Sequence, residues 1–465
     1  MLSPDGFQRR LAGAGTVTLG VVFVVFAALS YWQVFRADLG ERADNPRVYD
    51  SLSDPARGRI LDRDGNVLAE SSPDGTRVYH NLSLAHIVGY LSAEYGSQGA
   101  ELAFNDWLVG KAGGSWESAL DAEFNRQGRT GLDVALTIDP AAQAAAAEAL
   151  GGQAGAVVAM DPRTGEILAM VSFPGFDPSQ VEANGENLTV DPSAPLLNRA
   201  TQGLYPPGST FKAVTAIGAL ESGLYSPDRE VTCPGELVFD GFPVQCGTQG
   251  TGTYPFIDAF TFSVNAMFAQ VGVDLGWERL LATAAALGFG SSISFELETT
   301  PTSVVGPTSE LSEALLASTG FGQGEILASP LQMAMVAAAI ANGGVLHGPI
   351  IGLGVVEDGD FVERFGAGDS RRALPEDVAA TMLEFMESVM VAGQANAAAI
   401  DGVRVGGKTG TAESGVEGLS HAWFIGIAPV DDPQVVVAVV VEFGGQGSRV
   451  AAPIAGEVMR AVLSR

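Results

Sequence analysis

Strand-forming runs stand at both ends of residues 151–465, and an alanine-rich helical stretch separates them. Ala156-Val157-Val158-Ala159-Met160, a turn over Asp161-Pro162-Arg163-Thr164-Gly165 and a run at 166–171 predict strand, turn and strand. At the far end, Ala422-Trp423-Phe424-Ile425-Gly426-Ile427 and the apolar run 435–443 predict two more, the last buried on both faces. Residues 451–463 predict a closing helix. Strands bury their faces only by pairing, so the two ends are expected to meet in one antiparallel sheet flanked by helices, with the middle forming an all-helical lobe. The class is α+β, and 151–465 is one domain.

Residues 36–150 are expected to form a small N-terminal α/β pedestal. Arg57-Gly58-Arg59-Ile60-Leu61-Asp62-Arg63-Asp64-Gly65-Asn66-Val67-Leu68-Ala69 alternates apolar and polar residues around an Asp-Gly-Asn turn and predicts a hairpin. A helix near 100–108 follows, and a second over 143–150 leads into the larger domain. Residues 11–35 carry no charged side chain; such a run would extend about 37 Å as a helix, against ~30 Å of bilayer hydrocarbon. One transmembrane anchor is expected, with residues 1–10 cytoplasmic and the rest outside, a single-pass protein of the cell membrane with an extracytoplasmic catalytic domain.

A net charge of −29 excludes nucleic acid as a partner, because a phosphate backbone requires a basic patch. Cys233 and Cys246 are the only cysteines and lie beyond the anchor; they either pair, as an oxidising exterior allows, or remain two buried thiols. The four histidines have no ligand spacing, so no metal site and no cofactor are expected.

The chemistry is written in the lysines. There are three, Lys111, Lys212 and Lys408, against twenty-two arginines. Lysine, unlike arginine, can be driven to its neutral, basic form by burial or a neighbouring cation. Tyr205-Pro206-Pro207-Gly208 cannot continue a helix and the residues from Phe211 to Leu220 can, so Ser209 falls near a helix N-terminus, where an oxyanion is favoured. Ser209 and Lys212, three apart, share one helix face. Ser209 is the candidate nucleophile and Lys212 its base. Lys408, in Lys408-Thr409-Gly410-Thr411, is the second cation that holds Lys212 neutral and attracts a substrate carboxylate, with the Thr409 and Thr411 hydroxyls as donors. Gly410 clears space for a peptide lying along the strand, and the backbone N–H groups of Ser209 and Thr411 form an oxyanion hole. In Ser263-Val264-Asn265 the two polar side chains reach one cleft only from a bend before a helix; Ser263 relays a proton and Asn265 binds a substrate amide. Gly402 to Thr409 also satisfies a phosphate-loop pattern, but a phosphate loop must open a helix and a strand follows here.

Ser-x-x-Lys, Ser-x-Asn and Lys-Thr-Gly in this order form the signature of penicillin-binding proteins and class A β-lactamases. With Arg57-Gly58, Asp161-Pro162-Arg163-Thr164-Gly165-Glu166, Asn198-Arg199-Ala200, Gly322-Gln323-Gly324 and Pro330-Leu331-Gln332, the chain resembles the class B penicillin-binding proteins, monofunctional peptidoglycan D,D-transpeptidases. Its short pedestal resembles the actinobacterial penicillin-binding protein A branch. The resemblance implies a penicillin-binding/β-lactamase-like transpeptidase domain, a Ser209 acyl-enzyme formed on D-Ala-D-Ala stem peptides and passed to an acceptor amine, inhibition by β-lactam antibiotics, and a SEDS-family glycan polymerase as membrane partner. Two alternatives are a D,D-carboxypeptidase or β-lactamase, for which the Glu-x-x-Leu-Asn element of class A enzymes is missing, and a β-lactam-binding sensor or scaffold, for which the ten-residue tail is too short.

Overall fold

The computed structural model describes residues 57–112, 131–247, 251–306 and 310–464. The expected anchor at 11–35 lies outside them, and among the described residues no helix is long and apolar enough to cross a membrane.

The larger region runs α1 (Pro140–Leu150), β1 (Gly155–Met160), β2 (Ile167–Phe173), α2 (Lys212–Glu221), α3 (Asn265–Ala286), α4 (Glu313–Gly320), α5 (Pro330–Ala341), α6 (Glu376–Val391), β3 (Gly406–Glu413), β4 (Ser420–Ala428), β5 (Val435–Val441) and α7 (Ala451–Leu463). The strands form one antiparallel sheet in the order β3-β4-β5-β1-β2, so the two ends of the region meet where Val439 pairs with Val157. Both β1 and β5 are buried along their whole length, which is why their sequences do not alternate. Helices α1 and α7 cover one face. On the other lies α5, begun by the Ser329 cap and Pro330 and buried at all twelve positions, as its all-round apolar sequence requires. Around it α2, α3, α4 and α6 build the helical lobe.

The pedestal sheet has six strands, in the order Asp360–Arg364, Gly352–Glu357, Asp133–Leu136, Ile60–Leu61, Val67–Ser71 and Arg77–Tyr79. Its hairpin closes as expected, with Asp62 Oδ1 accepting from the N–H groups of Asp64 and Asn66 and Gly65 at φ +84°. Two strands, however, come from 352–364, so the sheet itself ties the pedestal to the larger region. Under it, the Glu101 carboxylate is buried between Arg57 and Arg77, at 2.7 and 2.6 Å. Cys233 and Cys246 form a disulfide, Cα atoms 6.1 Å apart, closing the Glu236–Phe239/Phe242–Gln245 hairpin beside the lobe.

Candidate active site

Three stretches far apart in sequence converge between the edge strand β3 and the helical lobe. Ser209 lies in a 3-10 turn, Gly208–Phe211, that runs straight into α2 and puts Lys212 at the first position of that helix. The turn is rigid. The Thr210 hydroxyl donates to the Pro207 carbonyl at 2.7 Å, and Gly208, at φ +54°, donates to the Gly322 carbonyl at 2.9 Å. Ser209 is half-buried, whereas Thr210, Phe211 and Lys212 are buried.

Lys212 is completely buried. Its Nζ lies 2.7 Å from the Ser263 carbonyl, 3.0 Å from Ser263 Oγ and 2.6 Å from Asn265 Oδ1, with the Phe268 ring centroid at 5.5 Å. A neutral amine has two N–H groups for the two carbonyl-type acceptors and keeps its lone pair for a hydroxyl proton. Burial first, and repulsion from Lys408 second, hold the Lys212 ammonium well below the usual lysine range. Ser263 and Asn265 both reach this nitrogen because they sit in the bend between helix Phe256–Thr261 and α3. Ser263 takes a left-handed φ of +58°, and Val264 is extended before α3 begins at Asn265. A serine in that region is uncommon and costs of order 1–3 kcal/mol, strain that persists only where the surroundings impose it.

Lys408 is also fully buried, on β3 opposite Ile425 and 5.5 Å from the Phe260 ring centroid. Its Nζ donates to the Thr409 carbonyl at 3.3 Å, a weak contact for a buried amine, and burial brings its pKa down to about 7. The pleat puts Lys408, Gly410 and Ala412 on the face toward the Ser209 turn. Thr409, half-buried, and Thr411, exposed, occupy the alternate positions along the open edge of the sheet. At Gly410 a Cβ would come within 2.9 Å of Trp423 Cβ and 3.0 Å of the Pro207 carbonyl, so the missing side chain makes room for the Ser209 turn. That close approach brings the Ser209 turn against Thr411, whose carbonyl lies 3.0 Å from the Cβ position of Gly208.

The sequence also offered Gly322 without a role. At φ +87°, a Cβ there would come to 1.8 Å of the Gly208 carbonyl. Gly322→Ala is therefore expected to destabilise the protein by about 3 kcal/mol and to slow acylation as the Ser209 turn moves, both read by thermal melting and β-lactam labelling.

The two lysines also set a pH dependence. Below about 7 Lys408 is charged, and its repulsion, added to burial, holds the Lys212 ammonium well below the usual lysine range. Second-order acylation by a chromogenic cephalosporin is expected to rise as Lys212 deprotonates and to fall as pH passes about 7 and Lys408 neutralises. Lys408→Met removes the repelling charge and moves the acid limb to higher pH.

Residues 155–460 match the family model described as "Penicillin binding protein transpeptidase domain", and residues 57–134 match "Penicillin binding protein A dimerisation domain". The chain is 35% identical to peptidoglycan D,D-transpeptidase PbpA of Mycolicibacterium smegmatis over 98% of both chains. It is 32% identical to stage V sporulation protein D of Bacillus subtilis over 86% of this chain and 65% of the relative. The ceftriaxone acyl-enzyme structure of penicillin-binding protein A from M. tuberculosis superposes with a TM-score of 0.81 at 34% identity, covering 89% of this chain and 99% of that one. Fold, motif geometry and similarity along nearly the whole length agree: the chain belongs to the penicillin-binding protein transpeptidase family.

Proposed function

We propose that this protein is a peptidoglycan D,D-transpeptidase, a serine acyltransferase that cross-links stem peptides and is a target of β-lactams. The observation that carries the reading is the buried Lys212 amine, held by Ser263 and Asn265 one helical turn from a half-buried Ser209 and close enough to Lys408 to feel its charge. Ser209 Oγ gives its proton to Lys212 as it attacks the penultimate D-Ala carbonyl carbon. The oxyanion accepts from the N–H groups of Ser209 and Thr411. Ser263 passes the proton to the departing D-Ala amine as the C–N bond breaks, leaving an ester on Ser209. An acceptor amine on a neighbouring strand then attacks that ester, and Ser209 recovers its proton. Asn265 binds the donor's amide, and Lys408 with Thr409 and Thr411 binds the terminal carboxylate. Gly410 serves by letting the strand and the Ser209 turn close up. The open edge of β3 suits an extended peptide added as a further strand.

The uncharged run at 11–35 supports a single-pass anchor that leaves the domain outside the cell membrane, with residues 36–150 as pedestal and 151–465 as transpeptidase domain. Family resemblance supports a SEDS-class glycan polymerase as partner. Benzylpenicillin separates a transpeptidase from a hydrolase: one acyl group per chain, mapped to the Ser209 peptide and persisting for minutes or longer, is the expected result. Complete turnover within seconds contradicts it.

A further inference from the structure

We propose that Tyr205, held by Glu442, is a positioning residue that sets where Ser209 stands during acylation. The proposal rests on the reading of Ser209 as nucleophile given above. Tyr205 stands four residues before Ser209, and Pro206 and Pro207 make the intervening chain stiff, so a displacement at Tyr205 is carried to the turn.

Tyr205 is fixed from three sides. Its backbone exchanges hydrogen bonds with Ala328, at 3.0 and 2.9 Å. Its ring meets His421 and Trp423 edge-on, at 5.4 and 6.2 Å between centroids, and Trp423 is the β4 partner of Gly410. Its hydroxyl donates to Glu442 Oε1 at 2.7 Å, the same oxygen that accepts from Arg199 Nε at 2.8 Å. Burial and the Glu442 carboxylate push the phenol up from its ordinary range, so it remains a donor. Glu442 directly follows β5, and its N–H donates to the Ala154 carbonyl at 2.7 Å. Arg199 is aimed by the carbonyls of Ala194 and Ser193, at 3.0 and 2.8 Å. The carboxylate therefore references the Ser209 turn to the same sheet that carries Thr411. If the oxyanion is bound between the N–H groups of Ser209 and Thr411, its geometry depends on how the turn and the sheet are held together, and the Tyr205 hydroxyl is a side-chain hydrogen bond that joins the two four residues before Ser209.

A purely structural role would lower thermal stability without changing the chemistry of a bound substrate. A positioning role would lower the acylation rate constant and spare the preceding dissociation constant, which stopped-flow acylation by a chromogenic cephalosporin separates. Tyr205→Phe is expected to slow acylation about tenfold, a loss in the range small misplacements of reacting groups produce, with the dissociation constant unchanged. Glu442→Gln keeps an acceptor for the phenol and should acylate nearly as fast as wild type. Glu442→Ala should match Tyr205→Phe, and the double variant should be no slower than the slower single one. Wild-type acylation by Tyr205→Phe, or losses that multiply in the double variant, overturns the proposal alone. A wild-type protein that carries no β-lactam on Ser209 overturns the functional reading and this proposal with it.

Discussion

Ser209→Ala is expected to yield a folded protein that takes no covalent label from a fluorescent penicillin under any condition, and whose transpeptidation falls to background. The change removes one oxygen from a turn whose shape is set by other atoms: the Thr210 hydroxyl on the Pro207 carbonyl, Gly208 on Gly322, and Gly410 beneath. Among the described residues Ser209 Oγ has no hydrogen bond that the fold depends on, so melting should hardly move. The chemical loss is large because the ester is formed on the hydroxyl that the turn presents beside Lys212, and the variant lacks it. Ser263 is bent into the site by its own backbone, but its hydroxyl is engaged with Lys212 and faces the amine, not a carbonyl carbon. Deleting a nucleophile that works as a unit with its base costs up to roughly 10⁶ in rate. Labelling of the variant at Ser263 would contradict these assignments.

The second largest effect is expected from Lys212→Arg. By charge the substitution is conservative, and by protonation it is not. The guanidinium stays ionised in any protein, so the group that should accept the Ser209 proton becomes a permanent cation. It must also be buried beside Lys408 in a space that fits a single nitrogen between Ser263 and Asn265. Loss of a positioned base lowers rates by roughly 10²–10⁴, and acylation by the variant should lose the acid limb of its pH profile. Lys212→Arg that acylates within about threefold of wild type would mean that another group takes the proton. The Ser209→Ala and Lys212→Arg losses should not multiply, since each disables the same step.

What could be read in advance follows from where the physics is local. The run Val435–Val441 has no polar position, so its burial between two layers was visible in composition alone. Ser209 and Lys212 share a face in any helical turn, and the proline-glycine lead-in marks the start. The shared pedestal sheet was not visible, because the pairing of Gly352–Glu357 with Asp133–Leu136 depends on a partner more than two hundred residues away, and neither strand announces the other. The left-handed φ of Ser263 was hidden as well: sequence required a bend there, but only tertiary packing chooses which residue bears it. Gly410 and Gly322 illustrate a third case. A glycine signals a close approach, and sequence cannot say what approaches; here both clear space for the turn that carries Ser209.

The mechanism requires Lys212 to be an uncharged amine when it takes the Ser209 proton. With three lysines in the chain, the side-chain nitrogens of protein grown on 15N-lysine give a spectrum simple enough to assign with Lys212→Arg and Lys408→Met variants. The expected spectrum near neutral pH contains a signal at the position of a free amine that disappears in Lys212→Arg and returns to the ammonium position at a higher pH in Lys408→Met than in wild type. A Lys212 signal that remains at the ammonium position until strongly alkaline pH would contradict the mechanism.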